Sequence, residues 1–159
     1  MTDTAVGNSA LSTGSASVVI NRAPADVWAA VTDITRMGDW SPECTGGRWV
    51  AGATGPAVGA TFEGDNKARF AGRTIKAWTT TSEVTVCEPG KVFRFVAEGY
   101  TTWRYALEPS GSGTKVTESF SFVPTGLQGF IYTKLLRRDA AITKGMQRTL
   151  ERIKTVLEG

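Results

Sequence analysis

Polar and apolar residues alternate through most of the chain, and the rhythm changes only near its two ends. In residues 91–97 Phe93 and Phe95 fall on one alternate set, in 99–108 Trp103, Tyr105 and Leu107, and in 114–123 Val116, Phe120 and Phe122. A period of two marks half-buried strands. Residues 17–21, 47–51, 60–70 and 73–88 read as further strands, with Trp49, Phe62, Trp78, Val84 and Val86 as their apolar members. Pro89-Gly90 and residues 109–113 supply turns between neighbours, so the strands form an antiparallel meander. After residue 127 the period lengthens. Leu127, Ile131, Leu135, Ile142, Met146, Leu150, Ile153 and Leu157 recur at steps of three, four or seven, which predicts one amphipathic helix over 127–157. Arg138 and Asp139 interrupt its stripe. They mark either an end of the buried face or a stretch that covers a cavity.

Before the meander, Ala23-Pro24-Ala25-Asp26 opens a short helix, with proline near its first position and an acid in its first turn. Residues 33–39 read as a second short helix or turn, ended by Trp40-Ser41-Pro42. Residues 1–15 are rich in Ser, Thr, Gly and Ala without periodicity, and read as a disordered tail before a single domain over 16–159. The fold class is α+β: a curved antiparallel sheet of six to seven strands wrapped around the C-terminal helix, with two short helices after the first strand.

Composition narrows the chemistry. The sequence contains no histidine, which removes histidine-based metal sites and the Ser-His-Asp and Cys-His arrangements. Two cysteines, Cys44 and Cys87, do not make a zinc site alone; no metal and no cofactor is expected. The net charge of +3 is small and the basic residues read as scattered, which argues against nucleic acid. No run approaches the roughly 20 apolar residues of a membrane span, so stable membrane insertion is not expected. The N-terminus lacks a basic region followed by an apolar core, which predicts a cytoplasmic protein with reduced thiols. A monomer or a homodimer is expected.

One residue breaks the alternation. Glu118 falls between Val116 and Phe120, on the face that should be apolar. A buried carboxylate needs a partner or a raised pKa. An ion pair with a nearby arginine, or water at the sheet's open end, is the plain account, and a polar anchor inside a ligand cavity is the other.

The order of elements resembles the helix-grip fold of the START-like (SRPBCC) superfamily, in its bacterial polyketide cyclase/dehydrase and lipid-transport branch. The pieces that carry the likeness are Ala23-Pro24-Ala25-Asp26-Val27-Trp28, Gly38-Asp39-Trp40-Ser41-Pro42-Glu43-Cys44, Val58-Gly59-Ala60-Thr61-Phe62, Thr102-Trp103-Arg104-Tyr105 and Gly113-Thr114-Lys115-Val116-Thr117-Glu118-Ser119. The resemblance implies a cavity between sheet and helix that holds a hydrophobic small molecule: a lipid, a polyketide or another aromatic metabolite. Phe62, Trp78, Phe93, Phe95, Trp103 and Phe120 are candidate walls from the sheet, Trp40 from the end of the second short helix, and Leu135 and Ile142 from the long helix. Asn66, Glu118, Arg138 and Asp139 are candidate polar anchors, and Tyr105 is a further candidate ligand contact. An enzyme of cyclase or dehydratase type would use Glu118 or Tyr105 as its acid or base. A protein-interaction module of the chaperone-regulator kind is the third possibility, and it predicts an exposed apolar patch.

Overall fold

The computed structural model describes residues 12–122 and 138–159. Seven strands form one antiparallel sheet: β1 (Ser12–Ile20), β2 (Cys44–Val50), β3 (Thr61–Phe70), β4 (Arg73–Glu88), β5 (Val92–Ala97), β6 (Thr101–Ser110) and β7 (Gly113–Phe122). Their order is β1-β7-β6-β5-β4-β3-β2. Consecutive strands from β2 to β7 are neighbours, and β1 returns to pair with β7, so the curved sheet is a meander with one added edge. Between β1 and β2 lie α1 (Pro24–Thr32), a 3-10 turn (Ile34–Arg36) and α2 (Met37–Trp40). The final helix, α3, is described over Arg138–Glu158; the expected helical residues 127–137 lie outside the described residues.

Local chemistry explains the boundaries. Pro24 stands in the first turn of α1, where its missing N–H is no loss, and Asp26 sits at the positive end of the helix dipole. Asp33 ends α1 and starts the 3-10 turn, its carboxylate accepting from the Thr35 amide (3.2 Å) and hydroxyl (2.5 Å). Between β4 and β5, Lys91 N–H donates to the Glu88 carbonyl at 2.9 Å across Pro89-Gly90. Gly90 has φ +74°, the position a type II turn reserves for glycine.

β2 begins at Cys44, three residues before the expected 47, and two further features of the sheet differ from the sequence reading. The strand β1 begins at Ser12, so residues 12–15, expected in the tail, pair with Ser119–Phe122 of β7. Four residues of Ser, Thr and Gly carry no apolar period of their own; the neighbouring strand orders them. In β4 the register slips between Val84 and Val86. Val84 stands opposite Phe95 on the concave face, whereas Val86 stands opposite Arg94 and Cys87 opposite Phe93. The extra residue reverses the alternation. Val86 therefore leaves the apolar face on which strict period two had put it, and Cys87 replaces it there.

The core lies between the concave face and the helices. Ile20, Val27, Ile34, Phe62, Val84, Phe93, Val116, Leu150 and Ile153 are almost wholly enclosed. The last turns of α3 are tied to the β1–α1 connection. Lys154 Nζ donates to the Val19 carbonyl (2.6 Å), Arg22 Nε to the Leu157 carbonyl (2.6 Å), and the Asn21 amide to Glu158 Oε1 (2.7 Å). The C-terminal half of the stripe is thus core, with Met146, Leu150 and Ile153 buried. On the convex face Arg94, Thr102, Arg104, Thr117, Ser119 and Ser121 stand together, as the alternation predicts.

Candidate functional site

Strand pairing assembles the concave wall in rows. Glu118 of β7 faces Tyr105 of β6, which faces Phe93 of β5; one step along, Phe120 faces Trp103, which faces Phe95. The rings pack edge to face or tilted: Trp103 on Phe120 at 5.6 Å, Phe93 on Phe95 at 5.6 Å, Phe62 on Phe95 at 5.0 Å. Offset and edge-on contacts are what the ring quadrupoles favour. Phe62, Phe93, Phe95, Phe120 and Tyr105 are buried, while Trp103 is half-buried and retains an open flank.

Within this wall Glu118 is 5% exposed. The Tyr105 hydroxyl donates to its Oε1 at 2.9 Å, and Oε2 has no hydrogen-bond partner among the described residues. Loss of water raises the Glu118 pKa from 4.5 to about 8, against the lowering effect of the tyrosine hydroxyl. At neutral pH the carboxyl is therefore mostly protonated and holds an O–H to donate. Burial, with the Glu118 charge beside it, also pushes Tyr105 well above the usual phenol range. The Tyr105 phenol is thus no base at neutral pH; it orients Glu118.

The remaining polar candidates sit elsewhere. Asn66 of β3 donates to the Gly64 carbonyl (3.1 Å) and to the Thr80 hydroxyl (3.3 Å), so its amide is held by the sheet. Trp78 stands opposite Asn66, half-buried, with the Lys76 ammonium 5.4 Å over its ring. Trp40 is buried at the end of α2; Arg36 stacks on its indole at 4.7 Å, and Arg152 donates to its carbonyl. Ile142 is half-buried against the core. Leu135 and the Arg138 side chain lie outside the described residues. Asp139 accepts from the Ala140 amide of its own helix at 2.8 Å. The structure thus brings Phe93, Phe95, Trp103, Tyr105, Glu118 and Phe120 together on one surface. Asn66 and Trp78 face each other farther along β3 and β4, past the end of the β4–β5 pairing, and Trp40 ends α2.

Two neighbours escaped the sequence reading. Cys44 is buried opposite Asn66 of β3, its thiol donating to the Gly46 carbonyl at 3.2 Å, and a charge on it would raise the Tyr105 pKa. Burial holds its own thiol in the protonated form. Gly14 of β1 faces Phe120 across the strand pair. A Cβ there would collide with the Thr143 hydroxyl of α3 and stand 2.7 Å from the Phe120 ring. Only glycine admits the helix this close to the sheet. Its signal in the sequence was weak, because Thr13-Gly14-Ser15 reads as tail.

Among the described residues no group of three His, Cys, Asp or Glu side chains could hold a metal ion. None of their helices is long and apolar enough to cross a membrane. A family model described as polyketide cyclase/dehydrase and lipid transport matches residues 13–158. The chain belongs to this family. A solution structure of the polyketide-cyclase-like protein Cgl2372 from Corynebacterium glutamicum is 38% identical, covers 93% of this chain and 92% of its own, and superposes with a TM-score of 0.64. The KanY protein, also solved in solution, shares the fold at 19% identity, with a TM-score of 0.70 and coverage of 92% and 97%. DynU16, from the dynemicin biosynthetic locus, shares it at 18% identity and a TM-score of 0.61; this chain covers 47% of DynU16 and is itself covered to 92%. No functionally curated protein matches. The family membership agrees with the helix-grip architecture and with a small hydrophobic ligand as the class of partner.

Proposed function

We propose that this protein binds a hydrophobic small molecule, a lipid, polyketide or other aromatic metabolite, against the aromatic wall of the sheet, with Glu118 as its polar anchor. The observation that carries the reading is the Glu118 carboxyl. It is enclosed, neutral at physiological pH, fixed by Tyr105 through one oxygen, and without a protein partner at the other among the described residues. Buried polar atoms are nearly always partnered. A ligand carbonyl, phenol or headgroup oxygen supplies the missing hydrogen bond, and Phe95, Trp103 and Phe120 supply apolar contact. Mostly apolar walls with one or two placed polar groups are the usual make-up of a small-molecule site. The family description and the presence of DynU16 in a biosynthetic locus support the same class of ligand.

Native mass spectrometry of the freshly purified chain tests this reading directly. The expected spectrum contains an adduct in the mass range of lipids or polycyclic aromatics. That adduct should persist in Glu118→Gln with altered affinity, because glutamine keeps the size and most of the hydrogen bonding. A protein that emerges empty, and whose tryptophan fluorescence answers to no fatty acid, phospholipid or polycyclic phenol, sinks the reading.

A second reading makes the same carboxyl a general acid in a cyclisation or dehydration. It is favoured by the Glu118 pKa of about 8, since a catalytic acid works best with a pKa near the operating pH. Here Glu118→Gln abolishes turnover of an added polyketide while ligand binding survives. Unchanged turnover in that variant removes Glu118 from any mechanism.

A further inference from the structure

The arm formed by the ends of β3 and β4 is built differently from the rest of the sheet. Pairing of β2 with β3 stops at Cys44–Asn66, and pairing of β4 with β5 stops at Ser82–Ala97. Past those points, among the described residues, 68–76 have strand partners only in each other, ending in the pair Phe70–Arg73 across a tight turn at Ala71-Gly72. Both turn residues have positive φ, 49° and 77°, the signature of a type I′ hairpin turn. The register slips between Ala68 and Arg69, leaving Ile75 as the unpaired extra residue. Phe70 is 74% exposed and Ile75 66% exposed. Tyr100, in the β5–β6 turn at the same end of the sheet, is 66% exposed. Single exposed apolar residues are ordinary on protein surfaces. What sets these apart is the charge around them.

Lys67 stands at the root of the arm and Arg69, Arg73 and Lys76 fall within it, and no acid occurs between Asp65 and Glu83. At the root of the arm the acids are already engaged. Arg48 takes Glu63 at 2.6 Å and Asp65 at 2.9 Å, and Thr79 donates to Asp65 at 2.8 Å. None of the four cations of the arm is paired with a carboxylate among the described residues. The basic residues that read as scattered along the sequence are thus partly gathered here by the hairpin. Apolar tips amid unpaired cations suit a surface that is anionic outside and hydrocarbon just beneath. We infer that the β3–β4 arm docks the protein on an anionic phospholipid bilayer, Phe70 and Ile75 entering the headgroup layer and Lys67, Arg69, Arg73 and Lys76 meeting the lipid phosphates. An acidic protein or a nucleic acid would use the charges but leave the two apolar side chains without a role. The inference is independent of the ligand in the concave face and of whether the protein is a carrier or an enzyme.

Flotation of the full chain with vesicles of phosphatidylcholine alone, or of phosphatidylcholine with phosphatidylglycerol, is the test. Binding is expected only where phosphatidylglycerol is present, and it weakens as salt screens the charges. Replacing the four cations of the arm by glutamine lowers the affinity about 5-fold for each charge removed. Replacing Lys91, Lys115, Lys144 and Arg148 instead changes the net charge equally and leaves most of the binding intact. Phe70→Ser with Ile75→Ser, both at exposed positions that leave the far-UV circular dichroism unchanged, lowers the affinity about 10-fold or more. The inference is overturned if the wild-type chain does not float with anionic vesicles. Equal losses from the two sets of charge substitutions, or full binding by the Phe70/Ile75 variant, overturn it as well, since either means adsorption by charge alone.

Discussion

Replacing Glu118 by glutamine should stabilise the fold at alkaline pH, by an amount that the enclosure of its carboxyl determines. The folded pKa is about 8 and the ordinary value is 4.5. Below about pH 4.5 both folded and unfolded chains keep the proton, and ionisation costs the fold nothing. As pH rises further the unfolded chain ionises while the folded one does not, so stability falls. The fall ends once the folded carboxyl also ionises, above about pH 8. The full difference of about 3.5 pH units, at ~1.36 kcal/mol each, amounts to ~5 kcal/mol, of which ~4 kcal/mol accrues between pH 5 and pH 9. That is a large share of the roughly 5–15 kcal/mol by which domains of this kind are stable. Glutamine accepts the Tyr105 hydrogen bond and does not titrate, so the variant lacks this slope. Urea unfolding of both proteins at a series of pH values measures it. The stability of Glu118→Gln relative to wild type should rise by about 3–4 kcal/mol from pH 5 to pH 9, whatever glutamine costs at low pH. A flat difference would refute the reasoning. A difference of opposite sign would mean that Glu118 is ionised in the fold and held by a cation, the plain account drawn from the sequence.

Three further outcomes follow from the same geometry. Tyr105→Phe removes the one described donor to Glu118 and leaves a second carboxyl oxygen unpartnered; a loss of about 1–3 kcal/mol is expected, with the Glu118 carboxyl resonance titrating at higher pH than in wild type. Gly14→Val drives a side chain into Thr143 and Phe120 where sheet and helix touch, and should cost about 1–3 kcal/mol, measured as a lower urea midpoint at unchanged slope. Burial raises both thiols, but Cys44 is buried and Cys87 only half-buried, so a chromogenic disulfide should modify Cys87 first and reach Cys44 only as the fold opens.

Most of the sheet was legible because it alternates strictly. In β5, β6 and β7 every inward residue from Phe93 to Phe122 can be assigned by counting twos, and Glu118 was visible as the exception in that count. Counting fails wherever the backbone inserts a residue. The slip after Val84 exchanges Val86 for Cys87, and nothing in Val-Thr-Val-Cys announces it, since both residues are acceptable on either face. It fails again where a strand has no apolar period at all: Ser12 to Ser15 are ordered by pairing with β7, a long-range contact that no local propensity encodes.

The partner of Glu118 was harder to read than its position. The sequence offered a nearby arginine, and the Arg138 side chain lies outside the described residues. Among the described residues the register supplies Tyr105 directly across the strand pair, and a phenol at 2.9 Å steadies a carboxyl without neutralising a charge. This difference decides the chemistry. A carboxylate held by arginine is a fixed anion, suited to a cationic ligand group. A carboxyl held by tyrosine inside an aromatic wall keeps its proton at neutral pH, presents an O–H beside apolar surface, and prefers a neutral oxygen acceptor on an otherwise hydrophobic molecule. Desolvation, the largest cause of the raised pKa, would also grow when such a molecule covers the site, so binding should take up a fraction of a proton above neutrality. Isothermal titration in two buffers of different ionisation enthalpy would detect that uptake, and proton release on binding would contradict a neutral Glu118 anchor.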